Sequence, residues 1–414
     1  MGIGVQRRKF GVRLVQRGLL AGIITAASLI SPRSCPAADA VADSSKLLIG
    51  YSEFRTNLPG GRHANVITNR ACVVRADGTD RRRLAEELAR QPNTWTSFSG
   101  WSLDGKQAII GKGWESPDNA RWEEKHQEFR FTTGGWLLDA LLVDVKSGKV
   151  SNLTEVERVS SYNSGLFFWP NDPNRLGFQA LIDGKSHPYS MDRDGRNKRD
   201  LTKDSREFTY GFSSSPDGRR ISYHKDYQVY IADADGSNAV HVDTGHPHHF
   251  VPQWSPDGKW LMFLAGEQFD KNPYLVAADG SGLRKLGSRN GCKGWVAFLD
   301  VPDFHLGSSD LPTWSPDSRW ICYTAKVKGS AELFRTSLEG ETVQLTHTEP
   351  GTLHYHPQVS ANGNWITFGS QRSGVRQIYV MNMKTLKSNA VTQVQPGWGA
   401  MWSYWQPLAQ AARD

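Results

Sequence analysis

The sequence predicts an all-β fold, a seven-bladed β-propeller of four-stranded antiparallel blades, on three observations. Two turn signals alternate along the chain, each repeat unit holds four short strand-like runs, and the last run resembles the missing first strand of the first unit. The first signal is Ser-Pro-Asp-Gly or a variant, centred on Asp104, Asp172, Asp217, Asp257, Asp317 and Asn362. Proline presets the second turn position, aspartate bonds the turn backbone and glycine takes the left-handed position. The runs that follow alternate, as in Trp260-Leu261-Met262-Phe263 and Trp320-Ile321-Cys322-Tyr323, the pattern of a half-buried strand. The second signal is a hairpin turn of the Asp-Gly kind near Gly78, Gly148, Gly195, Gly236, Gly280 and Gly340, with a glycine-free version at Lys384-Thr385; Asp-Gly between apolar strands is a strong hairpin signal.

The repeat is about 40 to 46 residues long with two stretched copies, the period of a propeller blade. Its strands are labelled a to d from the first turn signal onward. The chain holds one more hairpin than it holds first turns, and its two ends supply the difference. Lys46 to Phe54 reads as a strand b with no strand a before it, and Ala400 to Pro407 reads as a strand a with nothing after it. Pairing them completes the first blade and closes the ring, which removes the exposed edges that invite aggregation. An open array of sheets or a pair of sandwiches leaves that complementarity unexplained. The aromatic tail of Trp398, Trp402, Tyr404 and Trp405 fits packing in this closing strand better than sugar stacking.

Residues 1–40 read as a signal peptide and residues 41–414 as the propeller. Arg7, Arg8, Lys9, Arg13 and Arg17 precede the apolar run Leu19 to Ile30, and Ala38-Asp39-Ala40 has the form of a cleavage site. Arg7-Arg8-Lys9-Phe10 resembles a twin-arginine export signal, although the Ser or Thr usual before the arginines is missing; a Sec signal with a long basic start is the alternative. The expected location is periplasmic or secreted, with no membrane span once the signal is removed. The formal charge of +7 sits mainly in this leader. The remaining body is nearly neutral, which argues against nucleic acid as a partner. Cys72, Cys292 and Cys322 imply no disulfide framework.

At Trp254-Ser255-Pro256-Asp257-Gly258-Lys259-Trp260, Trp314-Ser315-Pro316-Asp317-Ser318-Arg319-Trp320 and Phe368 to Met381, the chain resembles the WD40-like (PD40) repeat of the TolB propeller family. The likeness runs from about Phe208 to Gln393. It implies the propeller fold and an exported location. It does not extend to the N-terminal α/β domain of TolB, nor does it carry that protein's role in the Tol–Pal system. A weaker likeness joins His354-Tyr355-His356-Pro357 and Gly245-His246-Pro247 to the oligogalacturonate lyases, propellers that hold manganese through histidines at the channel mouth. That family has an arginine after its Gly-His-Pro segment. Here Val251 precedes Pro252, no counterpart of the family's base histidine follows the next strand, and its glutamine ligand falls on Gly351.

In a four-stranded blade the a–b and c–d turns lie on one face, here tight. The b–c and d–a connections lie on the other, here long, with excursions near Gly113 to Gly135 and Ser288 to Ser309. Long loops on a rigid scaffold are where binding usually resides. His249 and His354 each stand eight residues before their turn residue, Asp257 or Asn362, and so occupy equivalent positions two blades apart. His354 and His356, at i and i+2, are expected to point to one side of a strand. His249, His354 and His356 are therefore the candidate ligands for a divalent transition metal such as manganese or zinc, with His246, His248 and Asp310 as further donors. Hydrogen bonding of these histidines to the channel rim is the competing reading. Arg372, Arg376 and His305 share the loop face as candidates for ligand binding, and the two arginines equally fit a role in stabilising their own blade.

Two functional readings follow. The first is a monomeric binding or scaffold module that engages a protein or carbohydrate partner through the long-loop face. The alternative is a metal-dependent oligouronate lyase, in which a metal neutralises the sugar carboxylate and a base removes the α-proton. No nucleophile elbow, phosphate loop or dinucleotide fingerprint stands in a fitting context, and whether the chain is an enzyme stays open at the level of sequence.

Overall fold

The computed structural model describes residues 46–126, 134–152, 166–182, 185–202, 209–267, 270–292, 295–296, 301–302 and 311–408; the leader, His305 and Asp310 lie outside them. The described strands form seven four-stranded antiparallel sheets. In blade 1, strand a is Trp398–Trp405, followed by Leu48–Arg55, Arg70–Arg75 and Arg82–Arg83. Blade 2 runs Thr94–Trp101, Gln107–Glu115, Trp136–Asp144 and Val150–Asn152. Blade 3 runs Leu166–Phe168, Arg175–Ile182, Lys185–Asp192 and Arg199–Asp200, and blade 4 Thr209–Ser214, Arg220–Lys225, Gln228–Asp233 and Val240–His241. Blade 5 holds His248–Trp254, Trp260–Glu267, Asp270–Ala277 and Arg284–Lys285. Blade 6 holds Thr313–Trp314, Trp320–Val327, Ser330–Ser337 and Thr342–Gln344, and blade 7 His354–Val359, Trp365–Ser370, Gln377–Asn382 and Ser388–Ala390. The d–a connection after blade 5 carries a small extra ladder, Trp295–Val296 against Val301–Pro302.

The turn chemistry explains the repeat. Ser255 Oγ donates to Asp257 Oδ1 (2.6 Å) and accepts the Trp260 N–H, while Asp257 Oδ1 also accepts the Lys259 N–H. The same serine-to-acid or serine-to-amide bond recurs at Ser102–Asp104, Ser215–Asp217, Ser315–Asp317 and Ser360–Asn362. Gly258 has φ +70°, which a side chain disfavours. In blade 6 Ser318 takes that place at φ +59°, and its hydroxyl accepts the Asp257 N–H of the neighbouring blade.

The core lies in layers between blades. Met262 and Leu275 pack against Ile321 and Tyr323 across one seam, and Ile49 and Val74 pack against Ile378 and Val380 across the closing one. Polar clasps recur across the seams. The indole N–H of Trp314 donates to Gln253 O (3.2 Å), that of Trp405 to Gln358 O (3.0 Å) and that of Trp101 to Tyr404 O (3.0 Å). Arginines reach the carbonyl just past the next blade's strand c: Arg82 to Val145, Arg175 to Ala234, Arg220 to Ala278 and Arg284 to Leu338. The outer strands are short and several carry Arg or Lys, which blunts the sheet edges.

The closing strand pairs as the sequence suggested. Ile49 stands opposite Trp405 and Arg55 opposite Trp398. Clasps hold it from both sides, since Trp405 donates into blade 7 and Tyr404 accepts from Trp101 of blade 2. Trp405 is buried in the seam core, and Tyr404 lies against Phe98. The aromatic tail thus packs within the ring closure.

Candidate functional site

Each strand a enters from the face that carries the long connections, and in blades 1, 2, 4, 5 and 7 a bulge interrupts it. The register slips between Phe250 and Gln253 in blade 5, between Tyr355 and Gln358 in blade 7 and between Tyr210 and Ser213 in blade 4. Val251 (φ +45°), His356 (φ +50°), Gly211 (φ +75°) and, in the closing strand, Trp402 (φ +53°) take the left-handed conformation at the same place in the repeat. A bulge adds a residue and re-aims the side chains around it. His354 and His356 therefore do not share a side, contrary to the i, i+2 expectation. His354 turns toward blade 6, with Nε2 3.4 Å from Glu332 Oε2 and its ring edge-on to Phe368. His356 turns toward blade 1, against Trp402 (ring centres 5.8 Å apart).

The equivalence of His249 and His354 is real, and both face strand c of the preceding blade. The Val229 N–H of blade 4 donates to His249 Nδ1 (3.0 Å), which leaves the proton on Nε2 to reach Thr244 Oγ1 (2.5 Å). Burial lowers the His249 pKa to about 4, so the ring is neutral and both nitrogens are engaged. Glu332 accepts from Thr346 Oγ1 and from the N–H and hydroxyl of Thr348, and His354 Nε2 stands 3.4 Å from it. Burial alone would raise this carboxyl, but the His354 ring beside it and the Thr346 and Thr348 donors outweigh it and hold it at about 2.

His246 Nε2 pairs with Tyr274 OH (2.8 Å). His248 packs edge-on to Tyr227, and burial, then the charge of Lys271, pulls its pKa down. Among the described residues no three His, Cys, Asp or Glu side chains gather as a metal cage. Arg372 stacks on Tyr379 (3.9 Å to the ring centre) and donates to Ser388 O and Oγ, so it braces its own blade. Arg376 is mostly buried, its carbonyl accepts the Ala400 N–H of the closing strand, and burial lowers its pKa.

The same face carries a constellation that the sequence reading missed. The b–c connections of blades 1 and 2 contain helices α1 (Gly61–Val66) and α2 (Pro117–His126). Between them Arg62 Nη2 meets Glu115 Oε1 (2.6 Å) and Glu123 Oε2 (3.0 Å), and His63 Nδ1 meets Glu115 Oε2 (3.1 Å). Asn119 Nδ2 bridges the two carboxylates at 3.2 and 3.0 Å. Glu115, Asn119 and Glu123 are fully buried. Burial opposes ionisation of Glu115, but His63 and Arg62 prevail and keep its pKa below the ordinary value. Asn119 and Glu123, four apart on one face of α2, are a spacing readable in the sequence; Glu115 closes the strand before the helix and Arg62 lies in another blade, and neither partner is readable that way.

Residues 182–396 match the family model of the TolB beta propeller domain. The chain belongs to this TolB β-propeller family. Among curated relatives it is 40% identical over 63 residues to the Tol-Pal system protein TolB of Mannheimia succiniciproducens, covering 15% of this chain and 14% of that protein. It is 27% identical over 107 residues to the uncharacterized protein Atu1656 of Agrobacterium fabrum, covering 25% and 36%. The chain thus spans well under half the length of these relatives. Similar solved structures include an oligogalacturonate lyase in complex with manganese (TM-score 0.52, 14% identity, 79% of this chain and 84% of that one). Another is a puromycin-hydrolyzing peptidase of Mycobacterium tuberculosis (TM-score 0.54, 13% identity, 85% and 52%). At such identities the likeness is one of fold. No helix among the described residues is long and apolar enough to cross a membrane.

Proposed function

We propose that this TolB-like propeller is exported to the periplasm or secreted and acts as a binding module, engaging a protein or glycan partner through the face that carries the b–c and d–a connections. The observation behind this reading is the contrast between the faces. One is closed by tight Ser-to-Asp turns and hairpins. The other is raised by α1 and α2, fixed to each other by Arg62, Glu115, Glu123 and Asn119. A buried ion network adds little net stability for its desolvation cost and is best rationalised by the definite shape it imposes. A preordered surface in turn loses less entropy on binding. The basic start, apolar run and Ala38-Asp39-Ala40 site of the leader support export.

A photo-crosslinking residue placed at exposed Asp118 on α2, and at exposed Asp194 on the opposite face, tests the reading in cells. Adducts from position 118 and not from 194 are expected; equal yields from both would sink it. The lyase-type alternative, with a metal held by channel-mouth histidines, predicts something else. Manganese-dependent absorbance of unsaturated uronates on incubation with uronate oligosaccharides would displace the binding-module reading.

A further inference from the structure

At the long-connection end of blade 1, all four strands contribute to one side of the sheet. Arg55 stands opposite Trp398, Glu53 opposite Arg70, and Cys72 opposite Arg83. Register partners share a side, as do residues two apart along a strand, so Trp398, Arg55, Arg70 and Arg83 all face the closing seam. The Arg55 and Arg83 guanidinium carbons lie 5.7 and 5.6 Å from the centre of the Trp398 ring. Arg70 is fixed beside them by donating to Ile67 O and Asn69 O.

The charges around this ring do not balance. Glu53 is already taken by Arg81 (2.7 Å) and by Tyr51 OH (2.6 Å). Arg83 pairs with Glu86 (2.9 Å). Three guanidinium groups are thus answered by one remaining carboxylate, and Arg55 is solvent-exposed. Burial, then the like charge of Arg83, depresses the Arg70 pKa, in keeping with the shared side of the sheet on which these arginines stand. Apart from the Glu86 carboxylate held by Arg83, the polar groups named here are guanidinium donors, and guanidinium forks match oxyanions in geometry.

We propose that Arg55, Arg70, Arg83 and Trp398 form a binding site for a phosphate group carried on a small ester or a lipid headgroup. The uncompensated charge of two matches a phosphate monoester, at about −1.5 to −2, better than a single carboxylate. The indole ring adds an apolar wall beside the anion. The inference rests on this face being the binding face, yet it stands or falls separately: a partner captured at position 118 together with absent phosphate binding would remove it and leave the broader reading in place.

The purified protein is titrated calorimetrically with glucose 6-phosphate and with inorganic phosphate, and floated with phosphatidylcholine vesicles with and without phosphatidic acid. Saturable binding is expected, weakened at least about tenfold by Arg55→Gln, a loss of roughly 1.4 kcal/mol, and unchanged by Arg196→Gln on the turn face. Arg55→Gln changes an exposed side chain, so the fold is retained and a loss reports on the site. Binding only to phosphatidic acid vesicles, lost in Arg55→Gln, would assign the phosphate to a headgroup. Absence of saturable binding to any of these probes overturns the proposal, and so does unchanged binding in both Arg55→Gln and Arg83→Gln. Tighter binding of a hexaglutamate peptide than of the phosphate probes would reassign the patch to acidic peptide.

Discussion

Replacing Trp405 by Phe tests whether the ring closes in solution. In the closed ring the Trp405 indole donates to Gln358 O across the seam at 3.0 Å, and the side chain is 9% exposed. Phenylalanine leaves that carbonyl without its donor, at a cost of about 1–3 kcal/mol. The smaller ring also opens a void of a few tens of Å³, which at ~24 cal/mol per Å³ adds about 1 kcal/mol. The expected loss is therefore about 2–4 kcal/mol, a large part of a domain stability of roughly 5–15 kcal/mol. Trp314 is the internal control. It makes the same clasp, to Gln253 O, at 8% exposure, between blades joined by continuous chain. Urea unfolding followed by far-ultraviolet circular dichroism should show Trp314→Phe and Trp405→Phe each losing free energy in this range of about 2–4 kcal/mol. A Trp405→Phe protein indistinguishable from wild type, beside a clearly weakened Trp314→Phe, would refute the closure argument, because a strand that is not docked has no clasp to lose.

Other expectations follow from the buried polar groups. Arg62→Ala strands Glu115 and Glu123 together in the interior and should cost about 3–5 kcal/mol, read as a lowered urea midpoint; Arg83→Ala, whose side chain is half exposed, should cost far less. Glu332→Gln replaces one of the two acceptor oxygens by an amide donor, set against either Thr346 Oγ1 or the N–H and hydroxyl of Thr348, and should lose about 2 kcal/mol by the same measurement. Stability should fall with acid. Burial holds His249 at about 4 and His224 well below its ordinary value, so between about pH 6.5 and 4 the unfolded chain binds more protons than the folded one. The contribution is complete above pH 6.5 and is lost as pH drops through that window, by up to about 3 kcal/mol for His249 alone. A urea midpoint that does not move between pH 7.5 and 5 would contradict this, and His249→Asn should flatten the slope.

The architecture was legible because it is written in local chemistry. A Ser-Pro-Asp-Gly turn and an Asp-Gly hairpin each act within a few residues, and their alternation counts the strands. Even the closure could be read, since Lys46 to Phe54 and Ala400 to Pro407 each lacked the partner the other provides. The site was less legible. The bulge at His356 depends on a backbone slip that no residue there announces; its equivalents are Gly211, Val251 and Trp402, which share no chemistry. It undid the expectation that His354 and His356 point to one side of the strand. The Arg62 network joins residues from two blades, a contact set by the ring and not by spacing. Histidine clustering was visible, whereas the direction in which each ring points was decided by neighbours in adjacent blades.

The strand that completes the first blade, Trp398–Trp405, is synthesised after every other strand of the seven blades. Until it arrives, Leu48 to Phe54 present an unsatisfied row of backbone groups on their inner side, and the seam core around Ile49 and Ile378 has no Trp405 to fill it. A product cut short by even this one segment would keep nearly all of its blades and still offer an open, sticky border. The fold thereby carries its own check on this segment: only a chain that includes it can cover the inner edge of Leu48–Arg55, and one that lacks it is marked for aggregation or proteolysis by the very groups that closure conceals.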